Sequence, residues 1–270
     1  MKRQMTNLLD STIDLVEARD QGHGMGCGAN SVLGKARLIL EAFNLDDYGL
    51  SLTELSRRTG ISKASVYRLA QELLDWGMLE RNGLDYRLGM RAFELGARVP
   101  RFRVLRDAVR PFMESLHQST RETVHLGVLD GLDVLYLEKI ASTQQAARPS
   151  RIAGRLPLYA TATGKVILAH SHSSLFTEVM ARGPVRISKS TIVVPALLHE
   201  QLRMVRARGY ATESEEITAG YCSVAVPLFD ECGVLLAALS VTAPTFRADT
   251  PRFLTELNGA VQRIRGLLPA

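Results

Sequence analysis

The sequence predicts an α+β protein with an N-terminal winged helix-turn-helix, a linker helix and a C-terminal domain built on an antiparallel sheet. Two short capped helices followed by a hairpin predict the first part, and apolar strands joined by tight turns predict the last. We divide the 270 residues into an extension with a glycine-rich joint (1–30), a winged helix-turn-helix (31–89), a linker helix region (90–103) and a C-terminal domain (104–270).

Composition places the chain among soluble globular proteins, because 46% of its residues are hydrophobic and 23% are charged. No run of 18 apolar residues and no export signal is present, so we expect a cytoplasmic protein without a membrane segment. The three cysteines, Cys27, Cys222 and Cys232, lack C-x-x-C spacing and predict reduced thiols and no zinc site.

The helix after Ser31 is expected to support the helices that follow it. Its pattern predicts an inward stripe of Leu33, Ala36, Leu40 and Phe43.

The first helix of the helix-turn-helix motif carries strong boundary signals. Ser51 and Glu54 form a capping box, and Leu50 and Leu55 have the spacing of a hydrophobic staple. Gly60 supplies a C-cap, because glycine enters the left-handed region at little cost.

The second helix repeats these signals. Ser62 is its expected N-cap, and Ile61 and Val66 have the spacing of a second staple. Asn82-Gly83 then predicts a type I′ hairpin, which would be the wing.

The outward side of this motif is a candidate DNA-binding surface, since such a motif lays its second helix in the major groove. Residues 1–96 hold 12 Lys and Arg against 13 Asp and Glu, so the prediction rests on local patterning and not on net charge. The alternative is a small helical subdomain with a solvated charged face. The candidate residues are Arg57, Lys63, Ala64, Ser65, Tyr67, Arg68, Gln71, Arg81 and Asn82.

The segment from Met90 to Val99 has helical spacing and predicts a linker helix that ends at Pro100. One winged helix reads only a few base pairs, so specificity calls for at least two copies on a palindromic operator. We expect Phe93 and Leu95 to form part of the contact in a homodimer.

The C-terminal domain opens with a helix from Val104 to Gln118, which Pro111 would kink or restart. Apolar strands, a small-residue turn and further helices follow it. Strands are expected at 124–129, 134–140, 223–229 and 234–242, and helices from near Thr163, at 174–182, at 199–208 and near 253–268.

Enzyme and cofactor motifs fail in their details. Gly24 to Ala29 has the letters of a dinucleotide fingerprint but lacks the strand that must precede it. Around Lys165, a phosphate loop would need glycine where Tyr159 stands and a hydroxyl where Val166 stands. G-x-S-x-G and H-E-x-x-H are absent from the sequence, so we expect neither an enzyme nor a bound metal or cofactor.

Several long segments, in order, resemble the IclR family of bacterial transcription regulators. They are SLTELSRRTGISKASVYRLAQELLDWGML, DYRLGMRAFELG, GRLPLYATATGKVILA, RARGYATESEE and SVAVPLFDECGVLLAALSVTAP, within residues 31–265. The resemblance implies a winged-helix DNA-binding domain, an effector domain of PAS/GAF-like fold, and dimers that often pair into tetramers. It also implies repression or activation of catabolic operons.

The resemblance also implies an effector pocket formed by Thr161, Ala162, Thr163, Glu213, Ser223, Ser240 and Thr242. Two positions depart from the family pattern: Glu213 stands where Asp is usual, and Ser223 where Cys is usual, with Cys222 one residue earlier.

The residue types in this set suit a small carboxylate, which the N–H groups of a helix starting near Thr163 would bind. Ser240 and Thr242 share one face of their strand and could both reach it. The alternative is that these hydroxyls are ordinary strand and cap residues. Glu213 would repel a carboxylate, so we expect it to accept from a ligand hydroxyl or to hold a protonated partner.

Two further features are given structural interpretations. His125 is expected to be an interior or interface histidine, and Glu213, Glu215 and Glu216 are expected to form a solvated acidic loop when considered without the resemblance.

The leading functional hypothesis is a transcription factor controlled by a small carboxylate. One competing hypothesis is a DNA-associated structural protein whose second domain only mediates assembly. Another is a sensor domain fused to a winged helix used for protein contacts.

Overall fold

A computed structural model describes residues 30–44, 47–142 and 152–267. The predicted extension, apart from Asn30, lies outside these residues, as does Cys27. The chain divides between Arg103 and Val104 into two compact units, which are described separately below.

The N-terminal unit is a winged helix-turn-helix, as the sequence predicts. Ile39, Leu55, Val66, Leu69 and Tyr86 are buried in one core, to which each helix of the motif and the wing contribute. The elements are α1 Val32–Glu41, α2 Leu52–Thr59, α3 Lys63–Asp75, β1 Leu79–Asn82, β2 Asp85–Leu88 and α4 Met90–Gly96.

Part of the helix capping predicted from the sequence is confirmed. The Ser51 hydroxyl accepts from the N–H of Glu54 at 3.2 Å, and Gly60 ends α2 with a φ of 69°. The reciprocal half of the capping box is wrong, because the Glu54 carboxylate accepts from Arg57 and Arg58 instead. Ser62 occupies the N-cap position of α3, but its hydroxyl accepts no hydrogen bond from a backbone N–H of the helix.

Two details of this unit differ from the sequence prediction. Leu33, placed on the inward stripe of α1, is 80% exposed, and Ile39 is the residue that α1 buries. The wing turn comes one residue later than predicted, because Asn82 pairs with Asp85 in the ladder and leaves Gly83-Leu84 as the loop. The type I′ turn is therefore wrong, since Gly83 has a positive φ but Asn82 does not.

The predicted linker helix is shorter than its periodicity suggests, ending at Gly96 and not at Val99. Pro100 begins α5, Pro100–Thr120, instead of ending the preceding helix, which agrees with the preference of proline for a first helical turn. This helix continues through Pro111, so of the two outcomes expected there, a kink or a restart, the restart is wrong.

The unit from Val104 onward is an antiparallel sheet with helices packed against it, which confirms the predicted α+β class. In the described part of the chain its six strands have the order β5-β4-β3-β8-β7-β6. The strands are β3 Thr123–Asp130, β4 Asp133–Ile140, β5 Arg155–Pro157, β6 Ala211–Ser214, β7 Tyr221–Phe229 and β8 Leu235–Pro244. The helices after α5 are α6 Ala162–His170, α7 Ser173–Ala181, α8 Pro195–Arg208 and α9 Thr250–Arg265.

Helix α6 is the most enclosed element of this unit. Every residue from Ala162 to Ala169 is buried, and its apolar side chains share a core with Leu198, Leu202 and Val205 of α8. Glycine at position 164 allows this burial: a Cβ there would lie 2.3 Å from the Leu158 carbonyl oxygen and 2.6 Å from Thr161 Oγ1. The tight turn from β5 into α6 therefore depends on Gly164.

We predict that Gly164→Ala destabilises the protein by about 1–3 kcal/mol, because the added methyl group overpacks a turn made of backbone. Gly259→Ala in α9 is the matched control, since no atom beyond its chain neighbours and the adjacent backbone of its own helix lies within 4 Å of its Cβ position. There alanine should instead stabilise by about 0.5–1 kcal/mol through its helix propensity. Urea unfolding of both variants measures the difference, and equal effects of the same sign would contradict the packing argument.

Candidate functional site

A row of polar residues crosses four neighbouring strands of the C-terminal sheet. Glu213 on β6 is directly opposite Ser223 on β7, Ser223 is opposite Thr242 on β8, and Thr242 is opposite Thr123 on β3. Directly opposed residues of antiparallel strands point to the same face. Residues that are far apart in sequence are therefore side by side on one surface.

Hydrogen bonds join three members of this row. The Ser223 hydroxyl lies 2.7 Å from Glu213 Oε1 and 2.9 Å from the Thr242 hydroxyl. The other oxygen of Glu213 accepts from the backbone N–H of Glu216 at 3.1 Å. Cys222 lies one residue away on β7 and its Sγ is directed at the carbonyl oxygen of Ala243, so Ser223 is the residue that occupies the row.

The start of α6 supplies a second polar cluster. Thr161 is the N-cap, and its hydroxyl accepts from the N–H of Gly164 at 2.9 Å. The Thr163 hydroxyl bonds that of Ser240 on β8 at 3.2 Å. One N–H of the first helical turn is therefore already used by the cap.

The two clusters line a cavity of about 50 Å³. All seven residues that the sequence analysis assigned to an effector pocket line it: Thr161, Ala162, Thr163, Glu213, Ser223, Ser240 and Thr242. The structure therefore brings these seven residues together around one cavity. Sequence reasoning did not identify the other lining residues, which are His125, Tyr136, Leu156, Ile217, Thr218 and Tyr221.

His125 is buried, as expected, but it also lines this cavity. Its ring lies 5.1 Å from that of Tyr136, centroid to centroid. The register explains this position, because His125 is directly opposite Ser240. Alternation along β3 could have indicated the face of His125, but only the pairing with β8 shows which residues it meets.

Behind the cavity, Lys165 of α6 forms an ion pair with Glu216 of the loop between β6 and β7. Both side chains are buried, with exposed fractions of 1% and 5%. The solvated acidic loop expected from sequence is therefore wrong for Glu213 and Glu216. The sequence gives no sign that Glu216 pairs with a buried lysine, because Lys165 lies 51 residues before it in the chain.

Burial has marked effects on the acidity of these groups. Desolvation raises the pKa of Glu213 to about 7, although the bonds from Ser223 and from the Glu216 N–H act in the opposite direction. Desolvation also raises the pKa of Tyr136 to about 12, which keeps this phenol neutral. The pKa of the Lys165 ammonium is lowered by burial, and its pairing with Glu216 opposes that change.

The candidate DNA-binding surface lies on the N-terminal unit. Lys63, Ala64, Tyr67 and Arg68 of α3 are exposed, while Val66, Leu69, Ala70 and Leu73 face the core, as the periodicity predicts. On the wing, Arg81 and Asn82 are exposed, and the Arg81 guanidinium lies 4.2 Å from the centre of the Tyr86 ring.

Several members of this surface have partners that the sequence analysis did not anticipate. Arg57 bonds Glu54, and Arg68 forms an ion pair with Glu72 at 3.0 Å. Ser65 is half-buried, and its hydroxyl bonds that of Ser62. Gln71 is also half-buried, and its Nε2 is enclosed, so the outward position predicted for it is only partly correct.

Within the described ranges, no three His, Cys, Asp or Glu side chains are grouped as metal ligands would be. Among the described helices, none combines the length and the apolar content needed to cross a membrane.

Two protein families match the two units. Residues 32–83 match the IclR helix-turn-helix domain, and residues 101–265 match the family described as bacterial transcriptional regulator IclR C-terminal. The HTH-type transcriptional regulator KdgR of Escherichia coli K12 is 35% identical over 232 residues, which are 84% of this chain and 88% of that protein. The HTH-type transcriptional regulator BhcR of Paracoccus denitrificans is 32% identical over 258 residues, which are 92% of each chain.

A solved structure is similar over nearly its whole length. An IclR homologue from Microbacterium hydrocarbonoxydans, complexed with 4-hydroxybenzoate, superposes with a TM-score of 0.83 at 31% identity. The match covers 88% of this chain and 99% of that one.

Proposed function

The chain belongs to the IclR family of DNA-binding transcriptional regulators, and we propose that it controls a catabolic operon, by repression or activation, in response to a small organic acid. The observation that carries this proposal is the polar cavity, in which all seven expected effector residues meet. Neither a second domain that only mediates assembly nor a winged helix used only for protein contacts requires such a cavity.

The relative complexed with 4-hydroxybenzoate supports the acid class, since that ligand carries a carboxylate and a hydroxyl. In this chain the hydroxyl groups of Thr163, Ser240 and Thr242 line the cavity beside the start of α6. Hydroxyls and a helix N-terminus together suit an anionic group. We assign effector binding to these residues together with Thr161, Ala162, Glu213 and Ser223.

The direct test of this function is retardation of the protein's own promoter fragment, with and without small metabolites. Specific retardation that a small acid alters supports a ligand-controlled regulator. Specific retardation that no metabolite alters would favour the architectural alternative, and the absence of specific retardation would favour protein contacts. A promoter-reporter measurement with the gene deleted then separates repression from activation.

We assign DNA contact to the exposed face of α3 and to the wing. Arg68 reaches outward with 62% of its side chain exposed, so that it can exchange Glu72 for a phosphate or a guanine edge. Lys63, in the first turn of α3, would contact phosphates. Arg57, Ala64, Ser65, Tyr67, Gln71, Arg81 and Asn82 complete the proposed surface.

We predict that Arg68→Ala weakens operator binding by about 1–3 kcal/mol without loss of the fold. Arg203→Ala is the matched control, because Arg203 is 61% exposed and forms a similar helical ion pair, with Glu200, in the other unit. Electrophoretic retardation and circular dichroism measure the two effects. Unchanged operator affinity in a folded Arg68→Ala protein would exclude α3 as the recognition helix.

We also propose that the protein is a homodimer and that two dimers associate, so that several winged helices act on one palindromic operator. Helix α4 presents exposed apolar side chains, among them Met90 and Phe93, that a second copy could cover. Leu95, which we expected beside Phe93 in this contact, is only partly exposed.

We predict that light scattering at micromolar concentration detects a dimer or a larger assembly, and that Phe93→Glu shifts it toward smaller species because a charge would then be buried. Phe246→Glu is the control, since Phe246 is also exposed but lies in the C-terminal unit. A monomeric wild-type protein would refute the proposal. Equal dissociation by both variants would refute the role of α4.

We predict that Ser240→Ala reduces effector affinity about 10- to 150-fold, because it removes one charge-assisted hydrogen bond worth about 1.5–3 kcal/mol. Ser214→Ala is the control, because Ser214 is exposed on β6 and does not line the cavity. Titration with small acids, starting from 4-hydroxybenzoate and scored by the change in operator binding, provides the midpoints. If Ser240→Ala responds at the same midpoints as wild type, the effector binds elsewhere.

A further inference from the structure

The segment with which the N-terminal unit ends is strongly basic. Residues 95–106 contain four arginines and no acidic residue. Arg98 follows the end of α4 by two residues, and Arg103 lies in the first turn of α5. Both belong to the N-terminal unit, and both are exposed. We call these two side chains the basic patch.

The basic patch differs from most arginines of its unit because it has no acidic partner. Within the described residues, the side chains of Arg98 and Arg103 form neither a hydrogen bond nor an ion pair. Lys63 and Arg81, which belong to the proposed DNA surface, also lack an acidic partner in the described residues. Ion pairs with acids of the same unit are formed instead by Arg37, Arg57, Arg58, Arg68, Arg87 and Arg91.

Helix stabilisation does not account for both members of the patch. Arg98 lies beside the C-terminal end of α4, where a positive charge is favoured by the helix dipole. Arg103 lies at the opposite kind of end, in the first turn of α5, where the dipole disfavours a positive charge. That turn contains no acidic residue that would offset the charge. The positive charge of Arg103 therefore has no favourable role within its own helix.

The basic patch lies close to the base of the wing. Helix α4 is attached there, because the Gly89 N–H donates to the Met78 carbonyl oxygen at 2.8 Å and the Met90 N–H donates to Glu80 Oε1 at 2.9 Å. The approach is so close that a Cβ on Gly89 would lie 2.1 Å from the Gly77 carbonyl oxygen. Since α4 has seven residues, it extends the chain by only roughly 10 Å before the patch begins.

We propose that Arg98 and Arg103 contact phosphate groups of a DNA duplex and extend the DNA-binding surface beyond α3 and the wing. A duplex carries one negative charge per about 1.7 Å of its axis, so a protein surface that adjoins the wing meets phosphates at short intervals. Such contacts position the protein and raise its affinity for any sequence, but they do not read bases. The inference rests on the proposed function only for the premise that the protein binds DNA.

An anionic membrane surface is the competing partner, because Val99 and Val104 beside the patch are exposed. A helix that lies in a membrane interface needs a broad apolar face for the lipid. The apolar face of α5 is not available for this role, since Leu105, Val109 and Met113 are already buried within the protein. The charge of the patch without such a face favours the duplex.

The experiment measures the affinity of the full-length protein for a random-sequence duplex between about 50 and about 200 mM salt. We expect the double variant Arg98→Ala/Arg103→Ala to lower the steepness of the salt dependence by about two units per DNA-bound subunit. Arg98→Lys/Arg103→Lys should keep the wild-type steepness, because lysine also neutralises a phosphate. The control is Lys189→Ala/Arg265→Ala, which removes two exposed positive charges from the C-terminal unit and should leave the steepness unchanged.

Four outcomes would overturn the inference. An unchanged salt dependence in an alanine pair that is folded by circular dichroism would make the patch a solvated connector. An equal loss in the lysine pair would show that charge is not what acts, and an equal loss in the control would show a general effect of net charge. Binding to phosphatidylglycerol vesicles that only the alanine pair loses, with an unchanged DNA salt dependence, would assign the patch to a membrane.

The random-sequence duplex separates this inference from the proposed function. If no operator or effector is found, the proposed function fails while the salt dependence remains measurable; a protein that binds no duplex at any salt concentration overturns both. With an operator, the alanine pair should weaken binding to operator and random duplex by the same factor. A loss of discrimination between the two would assign base reading to the patch and overturn the phosphate contacts.

Discussion

The ion pair between Lys165 and Glu216 is the constraint on which the cavity depends. It joins α6, whose first turn forms one wall, to the loop between β6 and β7, which contributes Ile217 and Thr218 to another. Removing two charges from water costs several kcal/mol per ion and is compensated only by close pairing and further hydrogen bonds. The backbone of Glu216 is held as well, because its carbonyl oxygen accepts from the Thr191 hydroxyl and its N–H donates to Glu213. The loop that forms this wall is thus tied to α6 by polar contacts, which require a defined geometry, in addition to the apolar packing of α6.

The sequence predicts the order of elements well, because helix caps, turns and hydrophobic periodicity are local signals. It fails where neighbouring side chains compete for one partner, and also where the outcome depends on residues that are distant in the chain. Glu54 satisfies the sequence rule for a capping box, yet Arg57 and Arg58 compete for its carboxylate and win. Leu33 fits the inward stripe of α1 but is 80% exposed, and Ile39 is the residue that this helix buries.

The same limit applies to the candidate site. The effector residues could be placed through the family resemblance, and strand alternation explained why Ser240 and Thr242 share a face. Neither source identified Lys165, Tyr136 or the cavity position of His125, because these depend on strand register and on how α6 lies on the sheet. A lysine within a small-residue helix start resembles a failed phosphate loop until its buried partner is known.

The hydroxyl groups around the cavity also affect how selective it can be. Thr163 bonds Ser240, and Ser223 bonds both Glu213 and Thr242, so these groups satisfy one another within the protein. A ligand that enters must replace the bonds it breaks, since a buried polar group left without a partner costs about 1–3 kcal/mol. A site of this kind discriminates strongly against analogues that lack the matching polar group, whereas an apolar pocket tolerates them. Selectivity of this cavity therefore follows from the arrangement of its hydrogen-bond donors and acceptors more than from its size.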